Sequence, residues 1–390
     1  MKQTILICLT SFELGGAERQ ALNLALLLKK EGIHVVMASF SNKGPVLDAC
    51  QKYGIKTLEF TNKITPICLF SIAQKIKKYN IDTIFSYCDH ANIMMALVFP
   101  FTQASRLFWG QRDAGIGYET IKQFPGILSL PTAAISNSIA GKNFLRTISN
   151  ELKIYHVSNV IQPSPPLFSR TQWRQHLGIT EDKKVFLMVA NLSRFKAHDL
   201  LLHAWALAQA SNSFAHKAIL LLAGREDDQA EFLHTMVRQL AITNSVIFLG
   251  QVSDISGLIS AADICVFSSR KEGLPNGILE CMYHGLPVIA LKNIGTHEAC
   301  AAVSGNLLIS SHTAESLKNG LLNFFDNKDL SSLGERNSLY VKNNFSSENF
   351  MKEYISIINS QNNGKQKPSK LISIKCLSNF YLKKIIHKIK

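Results

Sequence analysis

The chain has 390 residues, 46% of them apolar, with a mean hydropathy of +0.08 and a net charge of +14. That length favours two domains, each able to bury its own core, and the composition is that of a globular protein. No apolar run of about 18 residues occurs, the best (Ala91 to Phe101) being interrupted by Asn92, so a membrane-crossing helix is not expected.

The charge is unevenly placed: +7 over residues 1–165, −1 over 166–363 and +8 over 364–390, where eight lysines meet no acid. Such clustering suits an anionic surface, phospholipid or nucleic acid. The aromatics of the first half are not interleaved with basic residues as a stacking surface requires, so nucleic acid is not an expected partner. Eight cysteines form no Cys-x-x-Cys pair and suggest neither a zinc site nor a disulfide framework.

In chain order, Thr4 to Leu9 reads as an apolar strand, with Ile5 to Leu9 too short for a signal peptide, and a cytoplasmic location is expected. Gly15 and Gly16 follow it and open a helical stretch, Ala17 to Lys30; glycines there let a backbone approach a substrate. His34 to Phe40, Gly54 to Phe60, Ile81 to Ser86 and Leu107 to Gly110 read as strands, with Leu69 to Tyr79 a helix between them. Strands separated by helices imply parallel βαβ units. Pro163-Ser164-Pro165-Pro166 breaks the chain, and a second alternating series follows: Val185 to Val189, Ala218 to Ala223, Val246 to Leu249, Ile264 to Phe267 and Val288 to Ala290. The expected organisation is an N-terminal Rossmann-like domain over 1–165, a second over 166–345, a helix over 346–363 and a basic amphipathic tail over 364–390. In that tail Leu382, Ile385, Ile386 and Ile389 share one helical face, with lysines on the rest, a pattern that lies on anionic membranes.

Ligands of open α/β sheets bind beyond the carboxyl ends of the strands. In the second half the stretch Ser268 to Ala290 places Glu272 and Glu280 eight residues apart across Gly273-Leu274-Pro275-Asn276. Glu272-Gly273 sits where a strand should end, and Ile278 onward reads as a helix. A helix N-terminus offers free N–H groups to phosphate and sugar oxygens, and a carboxylate binds a diol through charge-assisted bonds. Glu280, about two turns into the helix, suits ribose hydroxyls and Glu272 a hexose; a connection whose glutamates merely face water is the alternative. Arg194 and Lys196, just after a strand, are placed to meet a diphosphate. No Asp-x-Asp motif appears, and no Gly-x-Gly-x-x-Gly follows the first strand, which disfavours metal-held diphosphate and a dinucleotide-binding dehydrogenase respectively.

The Glu272-x7-Glu280 spacing resembles the motif of glycosyltransferase family 4, the retaining enzymes that use nucleotide sugars. Gly15-Gly16-Ala17-Glu18-Arg19, Asn191 to Asp199, Val246 to Gly250, Ala261-Ala262-Asp263 and Gly285 to Ile289 resemble further family segments in the family's order. The match is imperfect where the family has Arg and this chain has Asn191, and where it has Gly and this chain has Ala197. The resemblance implies the GT-B fold, two Rossmann-like domains facing each other across a cleft, with the helix Ser347 to Asn359 crossing back to the first. It implies a hexosyltransferase-type enzyme with Glu272, Lys196, Arg194 and His90 as catalytic residues. Donor contacts would come from Glu280, Gly273, Leu274, Pro275, Asn276, Gly250, Gly15 and Gly16, and acceptor contacts from Arg112, with Glu298 bracing the donor loop. The donor would be UDP- or GDP-linked, no cofactor or metal is expected, and the acceptor would be a soluble or lipid-linked saccharide in bacterial surface polysaccharide or lipopolysaccharide assembly, at the cytoplasmic face of the inner membrane. A sugar-nucleotide epimerase of the same fold and a non-catalytic basic scaffold are the alternatives.

Overall fold

A computed structural model describes residues 3–115, 121, 125–327, 330–360 and 368–378. It divides into two compact units, Met1–Val160 with Ser347–Lys390, and Ile161–Ser346. The first is built on seven parallel strands: β1 Thr4–Leu9, β2 His34–Ser39, β3 Lys56–Glu59, β4 Thr83–Tyr87, β5 Arg106–Gln111, β6 Ala133–Ser136 and β7 Ile154–His156, ordered 3-2-1-4-5-6-7. The second has six: β8 Lys184–Val189, β9 Ala218–Ala223, β10 Val246–Gly250, β11 Ile264–Phe267, β12 Val288–Leu291 and β13 Leu307–Ile309, ordered 10-9-8-11-12-13.

Both sheets are covered on each face, so inner strands such as β9 Ala218–Ala223 and β11 Ile264–Phe267 are apolar throughout. Along β1, Leu6 and Cys8 join one core while Ile5, Ile7 and Leu9 join the other, because successive side chains leave a strand on opposite sides. In each sheet the order reverses once, between β1 and β4 and between β8 and β11. Chains leaving the two adjacent strands at such a point diverge, which opens a crevice at their carboxyl ends.

Three short strands, β6, β7 and β13, carry too few residues for a readable period. Gly54 to Phe60 is strand only from Lys56 to Glu59; Gly54 adopts φ +60 at the end of the preceding helix, Pro45–Lys52. The helix expected from Leu69 begins at Pro66, where Thr65 caps it by accepting a hydrogen bond from Cys68 N at 3.2 Å. The helix Ser347–Asn359 belongs to the first unit, where Tyr354 is fully buried. Residues 370–378 are helical and lie on the same unit: Ile372, Cys376 and Leu377 pack against its core, and Ser373 Oγ donates to Leu97 O at 2.7 Å. The apolar face of Leu382 to Lys390 lies outside the described residues. Among the described residues no helix is long and apolar enough to cross a membrane.

Candidate active site

In the second unit the loops leaving β8 and β11, neighbours at the reversal of strand order, are joined along their length. Ser268 Oγ donates to Lys196 O at 2.9 Å, Arg270 N donates to Phe195 O at 3.1 Å, and Lys196 Nζ donates to Glu272 Oε1 at 2.6 Å. Glu272 is only 8% exposed. The ammonium assigned to phosphate and the carboxylate assigned to the sugar thus hold each other. Lys196 has three N–H donors and one is engaged by Glu272, which leaves two for an anion in the same crevice.

Lys196 sits in a 3₁₀ turn, Arg194–Lys196, and is followed by Ala197 at φ +49, the left-handed region that disfavours a side chain. That turn aims the helix His198–Ala208 back along the sheet, and His198 starts it fully buried, with its pKa pushed down to about 3 by burial and then by the Lys196 ammonium. The His198 ring is therefore neutral, a core group with no signal in the sequence beyond its neighbours. Replacing Ala197 by Gly removes the backbone strain, and thermal unfolding of Ala197→Gly is expected to show a gain of about 1 kcal/mol; a lower melting temperature would refute the strain.

Arg194 is exposed, and its carbonyl accepts from Ala197 N at 3.3 Å. Asn191, in the place of the family's arginine, has its side chain committed elsewhere, accepting from Arg225 N at 3.1 Å to tie the β8 and β9 loops. Asp227, in the acidic triplet after β9, pairs with Arg225 at 2.6 Å.

Glu272 lies five residues beyond the end of β11, not at the strand end, and the helix begins at Asn276 with Pro275 as its N-cap, two residues before the expected start. Glu280 is the fifth residue of that helix, just over one turn in and not the expected two, and it is nine-tenths buried. Proline before the helix cuts the apolar period short, which is why the start was not legible. Gly273, Leu274, Pro275 and Asn276 form the connection between the two carboxylates. Gly250 ends β10 at φ +60, two strands away from β8, and is joined to the centre only through Gly224 N, which donates to Gly250 O at 2.8 Å.

The loop is braced from behind by the helix Ile294–Cys300. Its capping residue Asn293 donates through Nδ2 to Ser269 O at 2.9 Å and accepts from Thr296 N at 3.1 Å. Gly295 is pressed so close that a Cβ there would lie 1.9 Å from Gly273 O and 2.7 Å from Glu272 O. Gly295 went unremarked in the sequence, since a close backbone approach between segments over twenty residues apart has no local signature.

In the first unit the same strand ends gather another set. Gly15 caps the helix Gly16–Lys30 with its carbonyl, which accepts from Arg19 N at 3.0 Å, after β1. After β4, Cys88 takes φ +70 and turns the chain into the helix Asp89–Val98, which carries His90. A non-glycine residue in that conformation stores strain of the kind found at binding sites. His90 stands edge-on to Phe40 with ring centroids 4.8 Å apart, and burial lowers its pKa, so the ring is neutral at pH 7. Buried Asn92 locks this helix to β5, donating to Gly110 O at 2.9 Å while its Oδ1 accepts from Ser86 Oγ at 2.7 Å.

Arg112 is the first residue beyond β5. Its guanidinium lies 4.1 Å over the Tyr87 ring and donates through Nη2 to Tyr354 Oη at 2.7 Å, while Tyr354 and Tyr87 share a hydrogen bond of 3.1 Å. Nε and Nη1 are buried with no partner among the described residues, as are His90 Nε2 and Thr10 Oγ1. Buried polar groups without partners are costly in a folded chain and mark a place where a polar ligand completes the hydrogen bonding. Tyr87 and Tyr354 were not foreseen, their contact spanning 267 residues.

The structure thus brings together Lys196, Glu272, Gly273 to Asn276 and Glu280 in one unit, and Gly15, Gly16, His90 and Arg112 at the strand ends of the other; Arg194 and Gly250 lie at the margins of the first group.

Two parallel α/β units of this kind are those of the GT-B fold. The structure of Anabaena HepE in complex with UDP and glucose superposes with a TM-score of 0.79 over 92% of this chain and 99% of that one, at 20% identity. Residues 169–340 match the family model described as glycosyl transferases group 1. An uncharacterized glycosyltransferase of Haemophilus influenzae is 22% identical over 88% of this chain and 96% of that protein. The lipopolysaccharide glucosyltransferase WaaG of Escherichia coli is 27% identical over a shorter region, 38% of this chain and 39% of WaaG.

Proposed function

We propose that this enzyme moves a sugar from a UDP-linked donor to a saccharide acceptor with retention of anomeric configuration, as a member of glycosyltransferase family 4 acting in bacterial surface polysaccharide or lipopolysaccharide assembly. The observation that carries the reading is the Lys196–Glu272 pair at the reversal of strand order, with Glu280 one turn into the helix beyond it. The HepE structure, in complex with UDP and glucose, and the lipopolysaccharide glucosyltransferase WaaG support the donor and the setting.

Lys196 and the backbone N–H groups of Gly273, Leu274 and Asn276 take the diphosphate, with Arg194 reaching it from the rim; fixed cations supply the charge that a metal supplies elsewhere. Glu280 accepts from the ribose hydroxyls and Glu272 from the hexose. In the transfer, the bond from the anomeric carbon to the phosphate oxygen breaks, the acceptor oxygen bonds to that carbon on the same face, and the acceptor proton passes to the departing phosphate. His90, neutral, hydrogen-bonds donor hydroxyls beside Gly15 and Gly16, and Arg112 holds an oxygen of the acceptor. Calorimetry with UDP-glucose tests the donor site. Wild-type protein is expected to bind, and Glu280→Ala to bind about tenfold more weakly. The absence of binding by every UDP- and GDP-sugar would overturn the reading.

An anionic membrane surface is the proposed location of the acceptor. On the helix Pro66–Lys78, Ile67 is 83% and Phe70 63% exposed, one turn apart and flanked by exposed Lys75, Lys77 and Lys78. Residues 370–378 add exposed Leu371, Ile374, Lys370 and Lys375. Apolar side chains ringed by lysines suit an anionic bilayer, at roughly 1 kcal/mol per lysine. Sedimentation with phosphatidylglycerol vesicles is expected to fall severalfold in the double variant Ile67→Asp, Phe70→Asp, with turnover of a soluble acceptor retained; undiminished sedimentation counts against this face.

A further inference from the structure

The second unit carries a hollow of about 380 Å³ that none of the residues above lines; its walls are Phe168, Gln172, Trp173, Gln175 and His176. Its aromatic members are held by one carboxylate. Asp254, 6% exposed, accepts from Leu167 N at 3.0 Å, Phe168 N at 3.1 Å, Gly257 N at 3.1 Å and Trp173 Nε1 at 2.8 Å. Phe168 meets the indole edge-on at 86°, and His176 meets it at 89°. Trp173 is half-buried, and beside it Phe168 and His176 stand in water, with Leu167 72% and Phe168 52% exposed.

Asp254 also caps the helix Ile255–Ala261 through Gly257 N, and Trp173 rests in part on the core, but neither accounts for Phe168 and His176 being held beside the indole in water. The walls also discriminate between ligand classes. None of the five side chains carries a carboxylate, ammonium or guanidinium, which argues against a phosphate, a headgroup or a charged peptide. What remains is ring faces beside amides: the Gln172 side chain spends only its Oε1, on Ser169 N at 2.9 Å, and Gln175 is exposed. A pyranose ring matches this pairing. Its C–H face is electropositive and stacks on the electron-rich face of an indole, while its equatorial hydroxyls reach amides that both donate and accept. The volume falls in the range of small-ligand sites.

We propose that this hollow is a saccharide subsite, which grips neutral hexopyranose units of a glycan outside the reacting ends. The proposal rests on the reading of the chain as an enzyme that extends a glycan. It is tested on the full chain by titrating intrinsic fluorescence with maltohexaose, cellohexaose and chitohexaose. Trp109 and Trp205 are fully buried, so a saccharide-dependent change reports Trp173. At least one hexasaccharide is expected to give a saturable change at millimolar concentration. By calorimetry, Trp173→Ala is expected to lose at least about tenfold in that affinity. The double variant Gln175→Ala, His176→Ala alters only exposed side chains and is expected to weaken binding severalfold, with UDP-glucose affinity unchanged in all variants. No response to any hexasaccharide, or binding that survives Trp173→Ala, overturns the subsite. Saccharide binding without any nucleotide-sugar binding leaves the subsite standing and removes the proposed reaction instead; donor binding without saccharide binding does the reverse.

Discussion

Lys196→Ala is expected to lower turnover by about a hundredfold, the loss typical of removing one preorganised group from a developing charge, while donor affinity falls less. The physical reason is that the ammonium is 26% exposed and fixed by Glu272 before any ligand arrives, so it meets the departing diphosphate without reorganising. The same substitution leaves Glu272, 9% exposed along its side chain, without its counter-charge, and a loss of roughly 1–3 kcal/mol in stability is expected. The two consequences separate in the double variant Lys196→Ala, Glu272→Gln. Neutralising the stranded carboxylate should return most of the stability and none of the turnover, since the cation is still missing. Single-turnover rates and urea unfolding on the three proteins decide it; a double variant that regains activity would show that Lys196 serves only to hold the loop.

Gly295→Ala is expected to cost at least about tenfold in kcat/KM although residue 295 offers no side chain to any ligand. An added Cβ would lie 1.9 Å from Gly273 O, 2.7 Å from Glu272 O and 2.9 Å from Glu272 C, all backbone atoms that no rotamer change moves aside. Either the helix Ile294–Cys300 slides away, breaking the Asn293 bond to Ser269 O, or the Glu272 loop shifts and takes the carboxylate off Lys196. Overpacking of this kind costs about 1–3 kcal/mol. Gly126→Ala, where the added carbon meets open space, is the matched control and should behave as wild type. Unchanged kinetics in Gly295→Ala would mean that the loop tolerates displacement and does not position Glu272.

Much of the donor side was legible because it is local. Lys196, Glu272 and Glu280 each follow a strand that its apolar run announces, and in a parallel sheet the end of a strand is the place where ligands go. The helix start was misjudged by two residues because Pro275 and Asn276 end the apolar pattern before the helix does. In the first unit Arg112 and His90 each follow a strand that its apolar run announces, but what holds them is not local. Tyr354, from a helix near the end of the chain, hydrogen-bonds Arg112 and Tyr87, and nothing in the sequence near any of the three announces it.

Strand and helix periods, with the proline break, determined two α/β units and the order of their loops, since burial on both sheet faces demands continuous apolar strands whatever the rest of the chain does. Tertiary structure alone decided that Lys196 holds Glu272, that Gly295 lies against the loop carrying it, and that Arg112 rests between two tyrosines. Contacts across 22 to 267 residues depend on how the strands are ordered in space, and a linear pattern carries the strands without carrying that order.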